Sequence, residues 1–425
     1  MSSGTSMELL LPQSLDKLEV YACQKLRELP ILPPSLVSLQ IRDVWLTKLP
    51  MIGNISSHSI ESKSSKLIDI SVTDCPYLTS LEGSLLEQEL HMGALCVLKV
   101  DDCTHLESAS IPFEEMHELR ELRIGECPKL RTTRDAKDKL VLSSLRELTI
   151  ARCDDLEPPL LGSLELLVNL STLVLQNCSS LVSLPSADVF KNLSSLWHMD
   201  IEGCENLSSF GGLGSLSSLI WFGIAGCNKL AEAAESSLTR VASGSGSGGE
   251  EEHLMEPCRS LQITSLSIDL PSLLLLEPFK SLCHTESFTI NNGSEMESLP
   301  EQWLLQIRRS LHLLHIHEAD SLKSLPLSMQ DLCSLQYLSL TGARELQSLP
   351  YLPSSLKRLI LPRCHPDLEK KVTKHGSPEW NKIAHIPYAQ IGDWSFVLGK
   401  QYSVEAFTKL SSSEFERLSS KPSLQ

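Results

Sequence analysis

The stretch LCVLKVDDCTHL at residues 95–106 is followed by LRELRIGECPKL at 119–130, LRELTIARCDDL at 145–156 and LSTLVLQNCSSL at 170–181. Aligned on the first leucine, all four place apolar residues at positions 1, 4, 6 and 12 and a cysteine at position 9. Positions 4 and 6 alternate with variable, mostly polar residues, the period of two expected of a short strand with one buried face. A lone strand has nothing against which to bury that face. Stacking one copy on the next pairs the strands in parallel and joins their inward side chains into a continuous apolar interior. Helices are disfavoured, because positions 1, 4, 6 and 9 hold no stripe at the helical period.

The same frame extends in both directions. Leu196, Met199, Ile201 and Cys204 fill the next copy, then Leu219, Phe222, Ile224 and Cys227. Upstream lie Leu15, Leu18, Val20 and Cys23, a variant at Leu36, Leu39, Ile41 and Val44, and Leu67, Ile70, Val72 and Cys75 with Leu78 and Leu81. Five further copies carry position 4 at Leu266, Phe288, Leu314, Leu338 and Leu359 and position 6 at Ile268, Ile290, Ile316, Leu340 and Leu361, which makes fourteen in all. Position 4 recurs at intervals near 25, but the step from Phe222 to Leu266 is 44 residues and contains Ser243 to Gly249 followed by Glu250, Glu251 and Glu252. Such a Gly, Ser and Glu composition predicts a flexible, solvated loop.

The frame therefore predicts an α/β solenoid of leucine-rich repeats: a horseshoe with a parallel β-sheet on its concave face and mostly irregular or short helical convex segments. Its divisions are a short lead at 1–14, a first repeat block at 15–235, the loop at 236–258, a second block at 259–365, a closing segment at 366–391 and a tail, partly disordered, at 392–425. The first copy opens at Leu15 with almost no covering segment before it, an apolar edge that repeat arrays normally cap.

Composition narrows the function. Of 425 residues 41% are hydrophobic but only 5% aromatic, so leucine must fill the interior. The formal charge of −16 and the lack of a dense Lys/Arg block argue against a nucleic-acid partner and favour a protein. The leucine run from Leu273 to Leu276 falls far short of the roughly 20 apolar residues that span a bilayer, so no membrane insertion is expected. The first fifteen residues lack the basic and apolar regions of a secretory signal, which predicts a soluble, cytoplasmic chain. Nine of the thirteen cysteines, at 23, 75, 103, 127, 153, 178, 204, 227 and 364, occupy position 9 and no pair is spaced Cys-x-x-Cys. A small side chain with a weak S–H donor suits a corner where the chain turns inward toward a backbone carbonyl, so these are read as structural thiols.

A search for catalytic chemistry finds none, and no cofactor or metal site is expected. The stretch GDWSFVLGK at 392–400 has too many residues between its glycines for a phosphate-binding loop and is followed by Gln401 instead of Ser or Thr. His315 and His317 occupy positions 5 and 7 of one strand, but the matching position-5 residues of the neighbouring copies are Thr289 and Ser339, which are poor zinc ligands. Positions 3, 5 and 7 line the exposed strand face, and there the candidate protein-binding residues are Lys99, Asp101, Arg123, Asp200, Glu202, Trp221, His315, His317 and Tyr337. Trp221 and Tyr337 stand out because aromatics are enriched at interaction hot spots.

The L-x-x-L-x-I-x-x-C-x-x-L spacing, with L-x-x-L-P endings at Leu46–Pro50, Leu181–Pro185, Leu322–Pro326 and Leu346–Pro350, resembles the repeat region of plant intracellular nucleotide-binding leucine-rich-repeat resistance receptors. The stretch GSPEWNKIAHI at 376–386, followed by Pro387, looks like the ending of such receptors in grasses. In that family the repeats restrain a nucleotide switch and help to recognise pathogen proteins. The resemblance implies a defence role through protein binding, the partner being a pathogen effector, a guarded host protein or a receptor nucleotide-binding domain. The nucleotide-binding domain itself has no counterpart in this sequence, so ATP binding is not carried over. The rival reading is an intracellular leucine-rich-repeat adaptor, such as the substrate-binding part of a ubiquitin ligase.

Overall fold

The computed structural model describes residues 11–53, 66–80, 85, 92–106, 113, 116–129, 142–153, 161–230, 232–233, 261–397 and 400–403. The Gly/Ser/Glu loop expected at 236–258, the position-12 and position-15 leucines Leu130, Leu156 and Leu81, and the tail beyond 403 lie outside the described residues. The chain divides into two compact units, Met1–Ser218 and Leu219–Gln425.

In the first unit eight strands follow the frame: β1 (Lys17–Tyr21), β2 (Ser38–Arg42), β3 (Asp69–Thr73), β4 (Val97–Asp101), β5 (Glu121–Gly125), β6 (Glu147–Ala151), β7 (Thr172–Gln176) and β8 (His198–Glu202). They pair in parallel in chain order, and the register sets like position beside like: Leu98, Leu122, Leu148 and Leu173 are successive partners, as are Val100, Ile124, Ile150 and Leu175. These inward residues are at most 1% exposed, while their neighbours at positions 3, 5 and 7 mostly face out. Each buried Leu or Ile of this kind stabilises by roughly 1.5 to 3 kcal/mol relative to exposure.

The turn out of each strand is as regular as the strand. Position 8 takes a left-handed φ between 47° and 55° at Ala22, Asp43, Asp74, Asp102, Glu126, Arg152 and Asn177, and Gly203 takes 65°. Seven residues with a Cβ thus sit where the left-handed region costs about 1 to 2 kcal/mol each. Their repetition shows that the turn, which aims position 9 into the core, overrides the local preference. The position-9 thiols meet backbone carbonyls as expected: Cys127 and Cys153 donate to Gly125 and Ala151 at 3.1 and 3.2 Å, and Cys178 and Cys204 also approach the position-6 carbonyls of the preceding copies, Ile150 and Leu175, at 3.7 and 3.8 Å. Neighbouring thiols of Cys127 and Cys75, together with burial, push the Cys103 thiol far above its ordinary range.

In the second unit β9 (Trp221–Ala225), β10 (Ser265–Ile268), β11 (Ser287–Ile290), β12 (Leu313–Ile316), β13 (Tyr337–Leu340) and β14 (Arg358–Leu361) complete the fourteen strands of the frame, again in parallel register. At position 9 this unit keeps Cys227 and Cys364 in its first and last copies and uses other residues between them, among them Ala319 and Ala343, both fully buried. Among the described residues, helical segments away from the strands are short 3-10 turns and one-turn to two-turn helices, including α1 (Ala187–Asn192) in the first unit and α2 (Glu301–Gln306) in the second.

The closing segment carries more structure than its lost periodicity suggests. α3 (Pro366–Val372) and α4 (Pro378–Ile383) lead into β15 (Tyr388–Ile391), which adds to β14 in parallel. β16 (Trp394–Val397) and β17 (Lys400–Ser403), in the stretch assigned to the tail, then turn the sheet antiparallel. The GSPEW stretch explains how the end is sealed. Ser377 caps α4 by accepting from the Trp380 amide at 3.0 Å, and Pro378 starts the helix where no amide hydrogen is needed. Glu379, 8% exposed, accepts from the Leu349 amide at 3.1 Å and pairs with Lys382 at 2.8 Å. Lys382 in turn donates to the Leu349 carbonyl. The Trp380 ring packs edge-on against Phe396 of β16.

Candidate functional site: the outward strand face

Two properties of the ladders make their outward face the candidate binding surface. The inward residues of interior copies are fully buried, so the strands are rigid, and the parallel register lines up positions 3, 5 and 7 of neighbouring copies about 4.8 Å apart. What each row offers then depends on how its side chains engage one another.

In the first unit the register brings two of the candidate residues, Arg123 and Asp101, together as an ion pair. Arg123 holds Asp101 of the adjoining strand with its Nε at 2.9 Å and a terminal nitrogen at 2.7 Å from the same oxygen. Gly125, beside Asp101 in the register, leaves the room: a Cβ there would collide with the Asp101 carboxylate. Lys99 pairs with Glu121 at 2.7 Å. Partly exposed pairs of this kind contribute about 0.2 to 1 kcal/mol each, so their main effect is to fix side-chain positions. Asp200 and Glu202 lie two residues apart on β8, where burial, then the charge of Glu202, raises the Asp200 carboxyl, and Gln176 donates to Glu202 at 3.1 Å. Further along, Tyr21 donates to Gln40 at 2.8 Å, and Gln40 and Ser38 donate to Asp69.

In the second unit the face is nearly uncharged, lined by Ser265, Ser267, Ser287 and Thr289, with Trp221 half-buried on β9. His315 on β12 and His317 just beyond its end lie with ring centroids 3.9 Å apart. Burial, then the neighbouring His317, lowers the His315 imidazole, whose buried Nε2 has no hydrogen-bond partner. Among the described residues no group of three or more His, Cys, Asp or Glu is placed to hold a metal ion. Tyr337 is not alone: Arg358 of β14 lies over its ring at 5.7 Å and over the Tyr388 ring of β15 at 5.1 Å.

Sequence reasoning missed Arg358 and Tyr388. Arg358 sits at position 3 of its copy, directly beside Tyr337, and the repeat frame was sufficient to find it; Tyr388 belongs to a strand that the frame does not reach. A second cluster also escaped notice, because it lies beyond the strands: Arg27 stands over Trp45 at 5.0 Å and Tyr77 at 4.7 Å, with the two rings 5.1 Å apart. A partly open cavity of about 240 Å³ beside Leu173, Leu184 and Met199 has Glu165 as its one ionisable lining residue, which suits no acid–base pair.

Parallel short strands in like-to-like register, with positions 4 and 6 buried in the interior copies and a left-handed turn at position 8 throughout the first unit, decide the architecture. The fold is a leucine-rich-repeat solenoid. No family model and no curated protein matches the sequence. Among solved structures, a leucine-rich-repeat protein of Leptospira interrogans is similar at 17% identity and TM-score 0.38, over 85% of this chain and 93% of that one. The functional domain of InlJ from Listeria monocytogenes, described as including a cysteine ladder, is similar at 12% identity and TM-score 0.37, over 83% of this chain and 66% of that one. The plant peptide hormone receptor RGFR1 in complex with RGF2 is similar at 17% identity and TM-score 0.36, over 82% of this chain and 57% of that one. This chain thus spans less than two thirds of the InlJ and receptor chains. At such scores the likenesses add no argument to the strand register. Among the described residues no helix is long and apolar enough to cross a membrane.

Proposed function

We propose that the chain is a non-catalytic protein-recognition module of plant innate immunity, acting in the cytoplasm through the outward strand face as the repeat region of an intracellular resistance receptor does. One observation carries the recognition part: rows of outward side chains held in register on ladders whose inward residues are buried. A rigid, laterally ordered surface binds a protein without the entropy cost of organising loops. The defence role is supported by the GSPEWNKIAHI ending at 376–386 and the leucine and cysteine spacing before it. Partners of stated class are a pathogen effector, a guarded host protein or a receptor nucleotide-binding domain.

The test is affinity capture on the full chain from infected and uninfected plant tissue, with bound proteins quantified by mass spectrometry. Wild type should enrich a defence-related protein. Lys99→Glu with Arg123→Glu, or Trp221→Ala, should reduce that capture several-fold while circular dichroism stays unchanged. Capture undiminished by either variant would move the site off this face, and enrichment of ubiquitin-ligase subunits instead would favour an adaptor.

A further inference from the structure

The arginine at the end of the second ladder differs from the candidate cations Lys99 and Arg123. Lys99 and Arg123 each have a carboxylate from an adjoining strand. Arg358 is exposed and, among the described residues, pairs with no carboxylate. Its guanidinium is held instead between two tyrosines that the register places on either side, Tyr337 on β13 and Tyr388 on β15. A guanidinium held against rings in this way keeps N–H groups that can grip a carboxylate with two parallel bonds. The long side chain is ordered before anything binds, so less entropy is lost on contact.

The surroundings fit the same ligand. The whole chain is acidic at −16, yet residues 346–400 hold eight Lys and Arg against four Asp and Glu, and one of those acids, Glu379, is already tied to Lys382. A basic end on an acidic protein attracts an anionic partner and orients it. Two tyrosine rings flanking the cation add apolar contact area of the kind found at protein hot spots. We infer that Arg358, clamped by Tyr337 and Tyr388, anchors an acidic side chain of a protein partner, so that this end of the sheet is a docking site for an Asp- or Glu-rich peptide segment. The inference rests on the recognition reading above and supplies the chemistry of its ligand.

The test uses the full chain and a short peptide alternating Glu and Ala, blocked at both termini so that only side-chain carboxylates are offered, with its Gln–Ala counterpart as control. Titration calorimetry should show the acidic peptide bound roughly tenfold or more tightly than the neutral one, the difference expected for a charge-assisted pair. Arg358→Gln should abolish the preference. Arg358→Lys, which keeps the charge but loses the planar fork, should restore only part of it. Equal binding of the two peptides, unchanged binding by Arg358→Gln, or displacement of the peptide by inorganic phosphate at lower concentration than by free glutamate would overturn the proposal. Failure here leaves the recognition reading standing, which falls only if the strand-face variants leave capture from plant tissue unchanged.

Discussion

The strands β1 and β15 each close a parallel ladder, and they do so differently. In β1 the position-4 and position-6 residues, Leu18 and Val20, are half-buried, and Cys23 is exposed, whereas their counterparts in β2, Leu39 and Ile41, are at most 1% exposed. In β15 the matching Ala389 and Ile391 are fully buried, because the antiparallel β16 pairs with that strand and α4 packs its Trp380 against Phe396. The difference shows what a copy of the repeat lacks by itself. Its apolar residues are a core only when another element lies on each side, and a repeat stack therefore needs an ending that breaks the period.

The comparison can be broken most forcefully at the cap. Glu379 and Lys382, with side chains 11% and 17% exposed, bind each other and both polar groups of Leu349. Glu379→Ala strands a nearly buried ammonium and an unmet amide, and should cost about 3 kcal/mol; Glu379→Gln, which still accepts from the amide, should cost less. Urea unfolding followed by tryptophan fluorescence measures both, and a loss under about 1 kcal/mol for the alanine variant would show that the cap is not integral to the unit.

A smaller effect compares the same residue type at two depths. Leu148→Ala, at a fully buried position 4, should cost about 3 kcal/mol, whereas Leu18→Ala in β1 should cost roughly 1 kcal/mol or less. Equal losses would mean that β1 is as well covered as an interior copy.

The smallest effect sharpens the contrast between edge and interior by pH. His315, on an interior strand of the second unit, is held below the usual imidazole value by burial and by His317. The face residues of the strands on either side, Ser287, Thr289 and Asn291 before it and Tyr337, Ser339 and Thr341 after it, bring no opposite charge at neutral pH. Between its lowered value and the unperturbed 6.5 the unfolded chain binds more protons than the folded one, so stability rises with pH through that window and is lost as pH falls below about 6.5. His315→Gln should flatten this slope in melting temperature measured across that range. An unaltered slope would assign the pH dependence elsewhere.

Much of this was readable in the residues, and the failures have physical causes. All fourteen strands of the frame were found because positions 4 and 6 repeat a requirement of the core, and outward residues followed from alternation. The strand β15 was hidden: Ala389 stands where a leucine would mark position 4, and Pro387 directly precedes the strand. In the GSPEW stretch the letters gave a family likeness but not the role of Glu379, which depends on a partner thirty positions earlier in the chain. The ion pair of Arg123 with Asp101 needed the register and also the missing side chain at Gly125. The frame sets Arg358 beside Tyr337, but only the ring distances disclose that the two act together.

The column of thiols at position 9 has a practical consequence. Cys75, Cys103, Cys127, Cys153, Cys178, Cys204 and Cys227 are each at most 1% exposed, one to a copy, while Cys23 and Cys333 lie at the surface. An alkylating reagent can reach a buried one only when its own copy opens, so the order and rate of modification would chart fraying along the copies that carry one, with a reporter already built into each of their turns.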